Sequence, residues 1–156
     1  MKHKIDWKAL IISFFLIIIV AFLGSVFTSS STQSEWYLQN KPSITPPNYV
    51  FPIVWNILFI LIAISLYLTW VNSENTLKRK LILVFGLNFV FNILWSALFF
   101  GLRNPLLGFI DIILLWLTIL AMLTLSWKIS KIIFWMLIPY FIWVSFASIL
   151  NLLFLI

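Results

Sequence analysis

Residues Ala9–Thr28 read ALIISFFLIIIVAFLGSVFT, without a single charged side chain. A helix needs roughly 20 apolar residues to cross about 30 Å of hydrocarbon, and this run supplies them. Four further runs of similar length follow at about 50–71, 81–101, 106–126 and 132–154. Alternating strands separated by turns are missing, which argues against a membrane β-barrel. The expected fold class is therefore all-α and integral to the membrane. It is a five-helix transmembrane bundle forming one domain over residues 1–156, with a long structured loop between helices 1 and 2. The other connections are short, so consecutive helices should be antiparallel neighbours.

Composition agrees. Of 156 residues, 63% are hydrophobic and 9% charged, with mean hydropathy +1.14. A soluble domain is nearer half apolar and a quarter charged, so this chain lacks the polar surface to fold as a water-soluble globule.

The net charge of +6 says less than its placement. Alternating spans put Lys2, Lys4, Lys8, Lys78, Arg79, Lys80, Lys128 and Lys131 on one side, and Lys41 and Arg103 on the other. The positive-inside rule then predicts an N-terminus on the inner side of the membrane and a C-terminus on the outer side. Basic residues confined to helix ends suit lipid headgroups, and no basic aromatic stripe offers itself to nucleic acid. The N-terminal lysines and Ser25–Ser31 resemble parts of a signal peptide. The apolar run is longer than a usual signal core, which favours a retained first helix.

Cysteine is absent and His3 is the only histidine. The spans hold no paired carboxylates, so acid–base and nucleophilic mechanisms lack their usual parts. No oxygen- or nitrogen-rich metal cage is legible, and no cofactor is required by the residues.

Nine tryptophans demand another account. Trp7, Trp70 and Trp127 fall at helix ends, where indoles anchor in the interface. Trp95 and Trp143 fall mid-span. In the third span Asn88, Asn92, Trp95 and Phe99 share one helical face, and in the fifth Tyr140, Trp143, Ala147 and Asn151 do the same. Trp55 and Phe59 pair in the second. Unpaired amides are costly in hydrocarbon, so these faces meet protein or a cavity. Interhelical hydrogen bonding with space-filling indoles is one reading, with Asn56 and Ser96 compatible. A shared pocket for a flat, largely apolar ligand is the other.

Asp111 is the only ionisable side chain well inside a span. Asn104 can cap that helix with Pro105 at its first position, which puts the acid little more than a turn inside. A functional role and pairing with Arg103 or a neighbouring helix both remain open. Ala21, Gly24, Ser25 and Thr28 form a small-residue stripe expected to be helix-contact surface. Pro139 is expected to bend the last helix.

Several motifs in order carry a resemblance: WYLQNKPSITPP at 36–47, FPIVW at 51–55, NILWSALFFG at 92–101, GFIDIILL at 108–115 and PYFIWVSFASILN at 139–151. The chain resembles the tryptophan-rich sensory protein/translocator protein (TspO/MBR) family, of bacterial type, over nearly its whole length. That resemblance implies a commonly dimeric five-helix bundle whose pocket opens toward the first loop, in a bacterial cell membrane with the N-terminus cytoplasmic. It also implies binding of porphyrins such as protoporphyrin IX, and of isoquinoline carboxamide and benzodiazepine ligands. Ligand-binding positions carried over are Tyr37, Pro47, Trp55, Phe59, Asn92, Trp95, Ser96, Phe99, Trp143, Ala147 and Leu150.

On the same basis the protein is expected to be a membrane tetrapyrrole sensor that also promotes light-dependent porphyrin breakdown. Trp55 and Trp143 would then serve photo-oxidation, and Trp95 less directly. A transporter of porphyrin or other apolar small molecules is the alternative. The three prolines of the first loop restrict φ and remove N–H donors, which gives a stiff lid, with Lys41 at the rim for a ligand carboxylate. The C-terminal SILNLLFLI lacks the Tyr followed by Lys or Arg of the animal sterol motif, which lowers the expectation of sterol binding.

Overall fold

Local capping explains where each helix begins. The Asp6 carboxylate accepts the Ala9 N–H at 3.0 Å and starts α1, Trp7–Ser31. Ser34 caps α2, Glu35–Asn40, by accepting the Tyr37 N–H at 3.3 Å. The Pro47 carbonyl accepts the Val50 N–H at 2.9 Å at the start of α3, Val50–Asn72. Asn104 caps α5, Pro105–Trp127, through the Leu107 N–H at 3.0 Å, with Pro105 at its first position as the sequence predicts. Ser130 starts α6, Lys131–Leu153. Between them α4, Asn75–Ser96, runs into a π-helical turn, Ala97–Gly101. These positions come from a computed structural model that describes residues 5–156. Lys2, His3 and Lys4 lie outside the described residues.

Five helices among the described residues are long and apolar enough to cross a membrane. Within the long structured loop expected between the first two spans, Glu35–Asn40 forms a helix, because Ser34 can cap it before the prolines begin. One boundary differs from the sequence expectation. The basic Lys78–Lys80 lies inside α4 rather than before it, since Lys and Arg are good helix formers once the backbone is committed.

The helices close into a ring. α1 packs against α3 and α4, α3 against α6, and α5 against both α4 and α6. Away from the α2 end the ring is filled by Leu58, Ile62, Ile119, Met122, Ile133 and Leu137, all essentially buried. Outward positions such as Ile11, Phe15, Ile18 and Phe22 on α1 are exposed, a surface that suits acyl chains and not water. Trp7, Trp70 and Trp127 are exposed at helix ends, and Lys78 and Lys131 sit over the rings of Trp70 and Trp127. α6 continues through Pro139.

Candidate ligand-binding site

At the α2 end the ring is hollow. A cavity of about 610 Å³ lies among α1, α3, α4, the π turn and α6, bounded by α2 and the following loop. This size falls within the range of sites for drug-sized ligands.

Three tryptophans form its aromatic walls. Trp95 stacks on Phe99 with centroids 5.3 Å apart. Its indole N–H donates to Asn151 Oδ1 at 3.0 Å, and Asn151 Nδ2 donates to the Pro105 carbonyl at 2.8 Å. That wall is fixed. Trp55 packs on Phe59 at 5.2 Å and edge-on to Tyr140 at 6.2 Å, while Trp143 meets Phe51 edge-on at 5.7 Å. Among the described residues no acceptor engages the indole N–H of Trp55 or Trp143. Both remain available to a ligand acceptor.

Gly108 lets α5 and the π turn approach. A Cβ there would lie 3.0 Å from the Phe99 Cβ and 3.1 Å from Asn151 Oδ1, so a larger residue would displace the wall that Trp95 depends on.

α2 closes the end of the bundle. Tyr37 is buried, stacked on Phe154 at 5.8 Å and tilted on Phe100 at 5.7 Å. Trp36 packs on Phe99 and Phe154. Burial pushes the Tyr37 hydroxyl above its ordinary value of 10.0, so it is a neutral group in this position at physiological pH.

Of the sequence-predicted residues, Tyr37, Trp55, Phe59, Asn92, Trp95, Ser96, Phe99, Trp143, Ala147 and Leu150 line this one cavity. Pro47 does not. Its ring sits in the turn that starts α3, with its carbonyl committed to Val50. Lys41 is also absent from the lining, because it ends α2 with its N–H on the Tyr37 carbonyl. Among the described residues no charged side chain lines the cavity.

The shared helical faces divide along their length. Asn92, Trp95 and Phe99, with Trp143, Ala147 and Asn151, line the cavity, whereas Asn88 and Tyr140 do not. Those two are buried below it and hydrogen-bonded to each other at 3.1 Å. The small-residue stripe has two roles: Gly24 packs against α4, where a Cβ would lie 3.5 Å from Ser96 Oγ, and Ala21, Gly24, Ser25 and Thr28 all form cavity wall. Asn56 and Ser96 line it too, and neither makes a side-chain bond to another helix among the described residues. Asp111 is buried outside the lining, with neither carboxylate oxygen hydrogen-bonded among the described residues.

Sequence reasoning missed the polar rim of Thr32, Gln33, Thr45 and Asn48. A signal was present in TPPN. Prolines 46 and 47 offer no N–H to the Thr45 hydroxyl, and that oxygen is buried without a partner.

The fold and the site together define a helical membrane protein that encloses an uncharged, tryptophan-walled cavity under a capped loop. The sequence comparisons carry this further. The TspO/MBR family matches residues 13–156, and this chain belongs to that family. It is 40% identical over 145 residues to the tryptophan-rich protein TspO of Archaeoglobus fulgidus, covering 91% of this chain and 92% of that one. Identity to the tryptophan-rich sensory protein of Cereibacter sphaeroides is 27% over 154 residues, covering 95% and 90%. The human translocator protein is 30% identical over 135 residues, covering 83% and 78%. Membership and five apolar helices make this an integral membrane protein.

Proposed function

We propose that the protein is a membrane tetrapyrrole sensor that binds protoporphyrin IX in the cavity under α2. The carrying observation is the uncharged aromatic cavity with two uncommitted indole N–H groups. A flat macrocycle gains area and stacking on such walls. Its carboxylates fit only toward the polar rim, because the interior has no cation among the described residues to receive them. Lining residues with no histidine or cysteine favour a metal-free ring over one needing an axial ligand. Isoquinoline carboxamide and benzodiazepine ligands suit the same walls. The protein is proposed to sit in the cell membrane with a cytoplasmic N-terminus, as a homodimer.

Light-dependent porphyrin breakdown is the finer reading. Trp55 and Trp143 are its proposed participants, since both border the cavity and have unengaged indoles, while Trp95 is tied to Asn151. Dark titration of purified protein with protoporphyrin IX, read by tryptophan quenching, tests the binding. Saturable quenching is expected, and its absence overturns the proposal. Illumination of the complex should then change the porphyrin spectrum. Trp143→Phe should keep binding within about threefold, a change of less than 1 kcal/mol, and slow that change. Equal loss of both removes the photochemical role and leaves sensing or transport.

A further inference from the structure

The polar groups below the cavity form a chain with a direction. The Thr118 hydroxyl lies 2.6 Å from the Leu115 carbonyl. A carbonyl only accepts, so the single hydroxyl proton of Thr118 is committed there. Thr118 Oγ1 is then an acceptor toward α4, and Asn88 must present its Nδ2, at 2.9 Å. That orientation turns Asn88 Oδ1 toward the Tyr140 hydroxyl at 3.1 Å, which donates to it. Having spent its proton, the Tyr140 oxygen accepts from Asn92 Nδ2 at 3.2 Å. Every link follows from the one before. The last consequence is that Asn92 Nδ2 is committed to Tyr140, which leaves Oδ1 as the unpartnered acceptor of that amide.

Asn92 is 8% exposed and lines the cavity. Its Oδ1 accepts nothing among the described residues, and unlike the carboxylate oxygens of Asp111 it is not sealed off. An amide alone in a cavity could rotate to match either a donor or an acceptor. Here rotation would break the bond to Tyr140 or require the whole chain to reverse, which strips Thr118 of its bond to Leu115. Tyr140 and Asn88 are essentially fully buried, so water cannot compensate the broken links, and each unpaired buried group is expensive.

We propose that Thr118, Asn88 and Tyr140 are positioning residues that lock Asn92 as a hydrogen-bond acceptor, and that the cavity thereby selects flat aromatic ligands carrying an N–H or O–H donor at their edge. The lock requires only that the cavity is a ligand site, and does not depend on the ligand being a tetrapyrrole. Thr118 touches no part of the cavity, so its influence on selectivity must pass through the chain.

The test uses two probes of nearly equal shape: carbazole, with an N–H at its edge, and dibenzofuran, with an oxygen in the same place. Both are titrated into the purified full-length protein by tryptophan quenching. One hydrogen bond to a buried neutral acceptor predicts carbazole binding about 3- to 10-fold tighter. In Thr118→Val the tie that sets the direction is gone, and the ratio should fall to within about twofold of unity. Thr118→Ser keeps the hydroxyl and should restore the wild-type ratio. Tyr140→Phe should behave like Thr118→Val if it folds, and Thr118→Val and Asn92→Leu supply the answer if it does not.

A ratio near one in the wild type, failure of either probe to bind, or a ratio unchanged by both Thr118→Val and Asn92→Leu overturns the lock. A merely structural role for Thr118 would lower both affinities together and leave the ratio intact. If protoporphyrin IX fails to bind while the carbazole preference and its loss in Thr118→Val are seen, the tetrapyrrole reading falls and the lock stands.

Discussion

The two ends of the bundle use the same helices and differ in what stands inside them. Away from α2, the inward positions are Ile62, Ile119, Met122, Ile133 and Leu137, which meet across the axis and leave no space. At the α2 end the inward face of α1 carries Gly24, Ser25 and Thr28, too short to reach across. The large side chains opposite lie along the walls, as Trp95 does against Phe99. Asn88 and Tyr140 mark the boundary as a hydrogen-bonded floor. The lesson is that hydropathy does not distinguish a packed end from a hollow one. Side-chain length on one helix and the commitments of aromatic rings on the others do.

The sharpest way to break this contrast is paired truncation. Leu137→Ala, in the packed end, should cost about 2–5 kcal/mol of stability, because the hole it leaves is enclosed on all sides. Leu150→Ala enlarges a space that already exists, so its loss should be clearly smaller, while protoporphyrin affinity should change more. Equal unfolding free energies in detergent–denaturant titrations would mean that the two ends are packed alike.

A smaller effect probes the floor. Tyr140→Phe removes the hydroxyl that bridges Asn88 and Asn92. Leaving buried amide groups unpaired should cost about 1–3 kcal/mol, in the same titration. A neutral result would mean that the floor is not a structural boundary.

The smallest effect concerns the closing helix. The hydroxyl of Tyr37 titrates above its ordinary value because it is buried. Above pH 10 the unfolded or undocked chain loses this proton before the docked one does, so docking of α2 is undiminished below pH 10 and weakens as pH rises beyond it. Protease cleavage in the 33–49 segment should accelerate at alkaline pH in the wild type, and more weakly in Tyr37→Phe. Identical pH profiles would detach α2 docking from this hydroxyl.

Much of the site was legible because periodicity is a local property. Trp95 lies four residues before Phe99, and Trp143 four before Ala147, so each pair shares a face whatever surrounds it. Pro47 came from the resemblance and not from spacing, which assigns no face to a turn residue, and it does not line the cavity. Its neighbours Thr45 and Asn48 line the cavity instead. Asn88 and Tyr140 satisfied the same spacing as the wall residues and yet fall below the cavity. Their depth depends on which residues of other helices meet them, and no single helix carries that information. The stripe on α1 was legible only in part for a related reason: it makes a helix contact at Gly24 and cavity wall as well. Small residues permit a close helix contact, but they equally permit a gap.

The sequence by itself determined five membrane helices, the cap at Asn104 with Pro105 as the first helical residue, and an aromatic face on each of two spans, because length, propensity and periodicity act within one segment. Only the tertiary structure decided that α1 leaves a hollow and that, among the described residues, no charge enters it and Asn92 Oδ1 stays unpartnered. Those outcomes depend on ring closure and on a hydrogen-bond direction fixed at Thr118, three hydrogen bonds away from Asn92.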